Sequence, residues 1–218
     1  MKKQFLVIGA GRFGSSVAKT LFNLGHDVMV VDNDENIIEE ISHYVTDAAQ
    51  ADTTSEKSLI ALDIQEYDSV VLAIGDDIQS SIMTAILLIE LKAKYTVAKA
   101  QTELHGKVLS KIGVNHVVFP EQDMGQKLAH SLIAPTVIDL IELSKDYSVV
   151  EVKAPDFMVG KTLSELELRA RYGVSVVALR RNNGLKSTLS PVANDIIKAD
   201  DLIVAIGENK HLQKLGWI

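Results

Sequence analysis

The sequence predicts an α/β protein in which a doubly wound parallel sheet is followed by a smaller α+β domain. Short apolar, β-branched runs alternate with amphipathic helical patterns as far as residue 134. A glycine-rich turn joins the first run to the first helical pattern, and hairpin-like strands around one short helix occupy the rest of the chain. We therefore expect one domain at 1–134, a crossover helix to about residue 143, and a second domain at 144–218.

In the first domain the apolar runs predict six strands, and the segments between them predict six helices. The strands are expected at 4–8, 27–32, 46–51, 68–74, 95–99 and 115–119, and the helices at 12–24, 33–43, 55–62, 78–92, 104–112 and 122–132. Near-continuous apolar strands indicate burial on both faces, as in a parallel sheet. Residues 136–143 resume a helical spacing after Ala134-Pro135, with a face too apolar for a surface helix. We expect this crossover helix to pack against a second copy of the chain.

The second domain has the pattern of a small α+β fold. Strands are expected at 147–152, 174–181, 186–190 and 201–206, with one helix at 163–171. The Asn182-Asn183-Gly184 segment predicts a hairpin turn, because these residues tolerate positive φ. About 75 residues are near the lower limit for independent stability, which again favours dimerisation.

Residues 9–14 read G-x-G-x-x-G directly after the first strand. Gly9 permits a tight turn, Gly11 lets the backbone approach a pyrophosphate, and Gly14 lets the following helix pack closely on the sheet. Asp32 ends the second strand, where a carboxylate accepts hydrogen bonds from ribose hydroxyls and repels a 2′-phosphate. The pattern is typical of a Rossmann-like domain that binds an adenine nucleotide, and it disfavours NADP.

Two further features leave alternatives open. Arg12 lies inside the glycine loop, where its guanidinium could reach a terminal phosphate that NAD lacks, but a solvated arginine at a helix start fits the residues equally well. Glu121 and Asp123 follow Pro120 at the end of the sixth strand. Helix capping is the common explanation for such carboxylates, and a cation site is the sharper alternative.

Composition excludes several functions. There are 22 basic and 29 acidic residues, a net charge of -7 and no cluster of basic and aromatic residues, so nucleic acid is not an expected partner. With no cysteines there is neither a disulfide framework nor a thiolate metal site.

The sequence has no G-x-S-x-G, P-loop or H-x-x-x-H motif, so we expect no catalytic residue and a nucleotide that acts as a signal. The alternatives are an NAD-dependent oxidoreductase, an NAD(H)-sensing redox regulator or a structural oligomerisation module.

Six segments, taken together and in order, resemble the KtrA/KtrC-type RCK proteins of bacterial potassium uptake: residues 7–14, 73–75, 97–101, 108–113, 120–125 and 168–173. The resemblance covers essentially the whole chain and implies a TrkA-N nucleotide-binding lobe and a TrkA-C (RCK_C) lobe. It further implies a cytosolic, non-enzymatic gating-ring subunit, in which homodimers assemble into an octamer. The partner would be a membrane potassium-translocating subunit of KtrB/KtrD type, and the ring would lie peripherally at the inner face of the plasma membrane.

The same resemblance implies three ligand sites. ATP would favour the active ring and ADP the inactive one. The phosphates would lie at Gly9, Gly11, Arg12, Phe13 and Gly14, the ribose at Asp32, and the adenine at Asp52 and Thr53. Gly75, Asp76 and Lys99 would line the rest of the pocket. Glu121 would help bind an activating cation, Mg²⁺, Ca²⁺ or Na⁺, at the dimer interface. Leu163, Arg169, Val176 and Pro191 match an intersubunit cyclic di-AMP site, which Ser175 weakens because some relatives have Asn there. Ala10 replaces a more frequent Leu and leaves the phosphate site intact.

Overall fold

The chain divides into two compact units in a computed structural model that describes residues 1–133, 137–181 and 186–218. The first unit is Met1–Gln122 and the second is Asp123–Ile218. The predicted turn at Asn182–Gly184 lies outside the described residues.

A parallel sheet of six strands forms the centre of the first unit. The strands are β1 (Gln4–Ile8), β2 (Asp27–Asp32), β3 (Asp47–Gln50), β4 (Ser69–Leu72), β5 (Thr96–Lys99) and β6 (His116–Val118). Their order is β3-β2-β1-β4-β5-β6, so the chain runs outward from β1 in one direction and then returns to build the other half. This order confirms the predicted doubly wound, Rossmann-like fold. Ligands bind such sheets at the carboxyl ends of the strands, where the order reverses beside β1.

Six helices follow these strands. They are α1 (Arg12–Asn23), α2 (Glu35–Ser42), α3 (Glu56–Ala61), α4 (Ile78–Glu90), α5 (Glu103–Ile112) and α6 (Pro120–Ile133), the last of which continues into the second unit. Asp34, Asp77 and Thr102 cap α2, α4 and α5 by accepting hydrogen bonds from first-turn amides. Gly113 ends α5 in the left-handed conformation, with φ of 109°.

Alternate residues of β1 and β2 enter two different hydrophobic clusters, as period-two strands buried on both faces require. Leu6 and Val31 belong to one cluster, and Val7 and Val30 belong to the other. All four side chains are fully buried. The sheet is therefore covered on both faces, which leaves the strand ends as the accessible part of its centre.

An antiparallel sheet of five strands forms the second unit. The strands are β7 (Val137–Glu142), β8 (Tyr147–Lys153), β9 (Ser175–Arg181), β10 (Lys186–Leu189) and β11 (Leu202–Glu208), in the order β10-β9-β11-β8-β7. A 3-10 helix (Asp156–Met158) and three short helices accompany them: α7 (Leu163–Leu166), α8 (Leu168–Tyr172) and α9 (Asn209–Lys214). Met158, Leu179 and Trp217 lie at the centre of its core.

The predicted crossover helix at 136–143 is wrong over its described part, because Val137–Glu142 form a strand that pairs with β8. The pairing register shifts between Val137 and Asp139, as at a β-bulge. The extra residue places Val137 and Leu140 on the inner side, three positions apart, and so imitates the spacing of a helix.

The predicted single helix at 163–171 is also divided. Glu167 adopts the left-handed conformation with φ of 46°, which ends α7 and separates it from α8. Neither α9 nor the 3-10 helix was predicted from the sequence. Over the described ranges, the structure has no helix with the length and apolar character that a bilayer crossing needs.

Candidate functional site

A cleft lies at the carboxyl ends of β1, β2 and β4, where the strand order of the first sheet reverses. It encloses about 290 Å³, at the lower end of the range for small-molecule sites (~300–1,000 Å³). Predicted site residues from four separate segments line it together: Gly9, Gly11, Asp32, Asp52, Thr53, Gly75 and Asp76. The structure therefore brings together the predicted loop, ribose and adenine positions.

Each glycine of the loop has a different steric environment. Gly9 has φ of +90°, and a Cβ there would lie 3.1 Å from the backbone of Ala73. A Cβ on Gly14 would lie 1.9 Å from the carbonyl oxygen of Gly9, so only glycine lets α1 approach β1 this closely. Gly11 has nothing within 4 Å of its Cβ position. The space beside Gly11, at the start of α1, is where a phosphate would find unpaired amides.

Asp32 ties the end of β2 to the glycine loop. One carboxylate oxygen accepts a hydrogen bond from the amide of Ala10 at 2.6 Å, and the other accepts one from the amide of Asp34 at 3.0 Å. The side chain thus supports the loop before any ribose binds. A carboxylate oxygen has two lone pairs, so each can still accept a ribose hydroxyl.

The far end of the cleft from the loop is lined by Ile37, Ala51, Asp52 and Thr53. Asp52 accepts hydrogen bonds from the amide and the hydroxyl of Thr54, and these bonds hold its pKa below the ordinary value. It is therefore ionised at neutral pH. This end combines apolar side chains with a carboxylate, and apolar walls with a few polar groups are typical of small-molecule sites.

Asp77 and Ser80 also line the cleft and were not predicted from the sequence. Asp77 caps α4 and accepts hydrogen bonds from the amide and hydroxyl of Ser80, and the hydroxyl contact is the main cause of its lowered pKa. The signal was present in the sequence, since an aspartate followed three positions later by serine stands just after β4.

The remaining predicted residues of the first unit form a charged group beside the glycine loop. The ammonium of Lys99 contacts a carboxylate oxygen of Glu121 at 2.6 Å and lies 6.0 Å from the centre of the Phe13 ring. It also lies 3.3 Å from the Cβ position of Gly75. The pKa of Glu121 is lowered chiefly by its hydrogen bond with Lys99, with a smaller contribution from the charge of Arg12. We call Arg12, Lys99 and Glu121 the loop-side charge group.

The loop-side charge group and the cleft have opposite charge balances. The group contains two cations and one carboxylate, whereas Asp32, Asp52, Asp76 and Asp77 line the cleft. This arrangement favours a ligand whose phosphates lie at the loop.

Among the described residues no three histidine or acidic side chains are close enough together to hold a metal ion.

The four predicted cyclic di-AMP residues are distributed over the second unit. Leu163 and Val176 pack against its hydrophobic core, and Arg169 is exposed on α8. The segment after Pro191 is tied to α7 by backbone hydrogen bonds from Leu163 to Asp195 and from Ser164 to Ala193. The structure thus links the Pro191 segment to Leu163.

The fold and the cleft define a class of protein: a Rossmann-like domain with a cleft at the switch point of its sheet, joined to a small α+β domain. Comparison with known proteins supports this class. Residues 5–120 match the TrkA-N domain family, and residues 147–216 match the TrkA-C domain family. The chain therefore belongs to the TrkA-N/TrkA-C (RCK) family, and specifically to its Ktr-type potassium-uptake proteins, as the identities below show.

The chain is 42% identical over 207 residues to the Ktr system potassium uptake protein C of Bacillus subtilis (strain 168), covering 95% of this chain and 93% of that protein. It is 40% identical over 212 residues to the Ktr system potassium uptake protein A of the same organism, covering 97% and 95%. Among solved structures, the GsuK channel bound to NAD has a TM-score of 0.69 at 18% identity, with 97% of this chain and 38% of that chain covered. The GsuK structure bound to ADP has a TM-score of 0.51 at 16% identity, covering 62% and 35%. These two likenesses show the fold.

Proposed function

We propose that the protein is a gating-ring subunit that regulates a bacterial potassium uptake system by sensing an adenine nucleotide in the cleft of its first unit. The observation that carries the proposal is the cleft itself. The open space at Gly11, the carboxylate of Asp32 and the far end of the cleft, here called the base end (Ile37, Ala51, Asp52 and Thr53), follow one another as the phosphates, ribose and base of a nucleotide would. The Ktr-type relatives, similar over nearly their whole length, support the assignment to potassium uptake.

The proposed ligands are ATP and ADP, bound without turnover. Arg12 is the first residue of α1 and stands next to Gly11, with Lys99 and Glu121 nearby. A γ-phosphate that contacts Arg12 in only one ring geometry shifts the population towards that geometry by its differential affinity, and ADP does not. The ring then transmits its shape to a membrane subunit of KtrB/KtrD type, while the chain itself lies peripherally on the cytoplasmic face.

Two further ligands belong to the same proposal. Glu121 would bind a cation, Mg²⁺, Ca²⁺ or Na⁺, when dimers and then octamers complete the site, through a carboxylate whose Oε1 atom contacts Lys99. Cyclic di-AMP would bind between two copies of the second unit at Leu163, Arg169, Val176 and Pro191. Both sites need a second copy of the chain.

The alternative is an NAD(H)-sensing regulator or an NAD-dependent oxidoreductase. It is motivated by Asp32 in the cleft and by the likeness in fold to two GsuK structures, one bound to NAD and one to ADP. Arg12 favours ATP, because NAD offers no terminal phosphate to a guanidinium.

A thermal-shift titration of the full chain with ATP, ADP, NADH and cyclic di-AMP tests the proposal, because a ligand that binds the native state raises the melting temperature. We expect ATP and ADP to raise it more than NADH does, and chromatography of the recovered nucleotides to find them intact. A response to NADH alone, or consumption of the nucleotide, would contradict the proposal.

A further inference from the structure

Three buried hydroxyl groups lie beneath the base end of the cleft. Thr53 follows β3 and is 6% exposed, and Ser81 and Thr84, one turn apart on α4, are fully buried. The hydroxyls of Thr53 and Thr84 are 3.2 Å apart and form a hydrogen bond in which either can donate. The Ser81 hydroxyl has no hydrogen-bond partner among the described residues. Burying a hydroxyl costs free energy of folding, so packing alone does not account for this cluster of three hydroxyls.

Of these hydroxyls, only that of Thr53 belongs to a residue that lines the cleft. Thr53 lies in the middle of a turn. In this turn the Oδ1 atom of Asp52 accepts hydrogen bonds from the amide and the hydroxyl of Thr54. Within the described part of the chain, neither the Thr53 amide nor the Asp52 Oδ2 atom takes part in a hydrogen bond. The turn therefore leaves one backbone donor and one carboxylate acceptor without a protein partner, both on residues that line the cleft.

A donor beside an acceptor suits the edge of adenine, which offers the ring nitrogen N1 as an acceptor and the amino group N6 as a donor. Guanine presents the reverse pattern on this edge, and each of its groups would meet a like group. The discrimination holds only if the turn is fixed, because a relaxed turn would let either group move away.

We propose that Thr84 is a positioning residue for base recognition. It acts through Thr53, whose hydroxyl it holds, and so fixes the turn that carries the Asp52 carboxylate and the Thr53 amide. This inference rests on the proposed function, because it assumes that a nucleotide base occupies this end of the cleft. It adds a residue of α4 that touches no ligand and yet sets the preference for adenine.

The test compares the affinities of the full chain for ATP and GTP by calorimetry in three variants. Thr84→Val keeps the shape but removes the partner of Thr53, and we expect the ATP-to-GTP affinity ratio to fall roughly 3- to 10-fold. Thr84→Ser keeps the hydroxyl, and we expect it to keep the wild-type ATP-to-GTP affinity ratio. Ser81→Ala is the matched control, since it removes a buried hydroxyl from the same helix without touching Thr53, and its ratio stays at the wild-type value.

A Thr84→Val protein with a lower melting temperature but an unchanged ATP-to-GTP ratio would overturn the inference, because Thr84 would then be structural only. A ratio that falls equally in Thr84→Val and Ser81→Ala would overturn it as well. If the wild-type protein bound ATP without preferring it to GTP, the inference would fail and nucleotide sensing would stand. If it bound neither, the proposed function itself would fail.

Discussion

The two units differ in where their candidate ligand residues lie. In the first unit, Gly9, Gly11 and Asp32 come from different segments and line one cleft within a single chain. In the second unit, Leu163 and Val176 pack on the core, and Arg169 is exposed. The cleft proposed to bind a nucleotide is thus lined within one chain, whereas the proposed cyclic di-AMP site requires a second copy.

The largest effect is expected from Gly14→Ala, because the new Cβ would lie 1.9 Å from the Gly9 carbonyl oxygen. We expect the first unit to lose roughly 3 kcal/mol of unfolding free energy, at the upper end of the range for overpacking, together with ATP binding. Circular dichroism measures the unfolding. The chain's single tryptophan, Trp217, is buried in the second unit, so its fluorescence should stay native while the first unit unfolds.

Gly125→Ala is the matched control for that substitution. Gly125 also lies within a helix, but its Cβ position has nothing within 4 Å. Alanine should stabilise the helix by about 0.5–1 kcal/mol. Equal destabilisation by the two substitutions would contradict the steric role assigned to Gly14.

The next largest effect concerns Asp32, which accepts the Ala10 amide and faces the proposed ribose position. Asp32→Ala should weaken ATP and ADP binding alike by roughly 10- to 100-fold, because charge-assisted hydrogen bonds to both the loop and the ligand are lost. Calorimetry measures both affinities. Asp27→Ala, at the opposite end of the same strand and paired with Lys2, should leave them unchanged. Retention of nucleotide affinity in Asp32→Ala would show that the ribose lies elsewhere.

A smaller effect, confined to the second unit, is expected from Arg169→Ala. The substitution should weaken cyclic di-AMP binding roughly tenfold through loss of a charged phosphate contact, with ATP affinity unchanged. Arg171→Ala is the control, because Arg171 lies on the same short helix and pairs with Glu167. Calorimetry should also give one cyclic di-AMP for two chains. A stoichiometry of one for each chain would remove the stated difference between the units.

The smallest effect is a pH dependence at Glu121. Its pKa is lowered chiefly by the hydrogen bond with Lys99, so its contribution to stability is present above the ordinary carboxyl pKa and is lost as pH falls through the lowered value. The carboxylate is largely exposed, and the effect on stability is correspondingly small. In an NMR titration, Lys99→Met should raise the pKa of Glu121 towards its ordinary value. An unchanged pKa would show that the ion pair is absent in solution.

The first unit could be predicted from the sequence because its signals are local. The glycine loop is six consecutive residues, and the acidic end of β2 follows it at the spacing of about 20 residues that the βαβ motif fixes. The alternation of strands and helices is likewise read from short windows. The contacts of Lys99 with Glu121 and of Thr53 with Thr84 could not be predicted, because they join segments 22 and 31 residues apart.

The crossover segment shows the limit of periodicity. A bulge between Val137 and Asp139 gives a strand the spacing of a helix, and only pairing with β8 distinguishes the two. The break at Glu167 is similar, since a left-handed residue other than glycine or asparagine leaves little trace in the sequence.

Calorimetric titration of Arg12→Ala with ATP and ADP decides whether the first unit distinguishes nucleotides by their terminal phosphate. Lys57→Ala, which removes an equal charge from the exposed face of α3, is the control. We expect Arg12→Ala to lose roughly tenfold or more in ATP affinity while its ADP affinity stays within about twofold of wild type. An equal loss for both nucleotides, or no loss for either, would contradict the proposed discrimination between ATP and ADP.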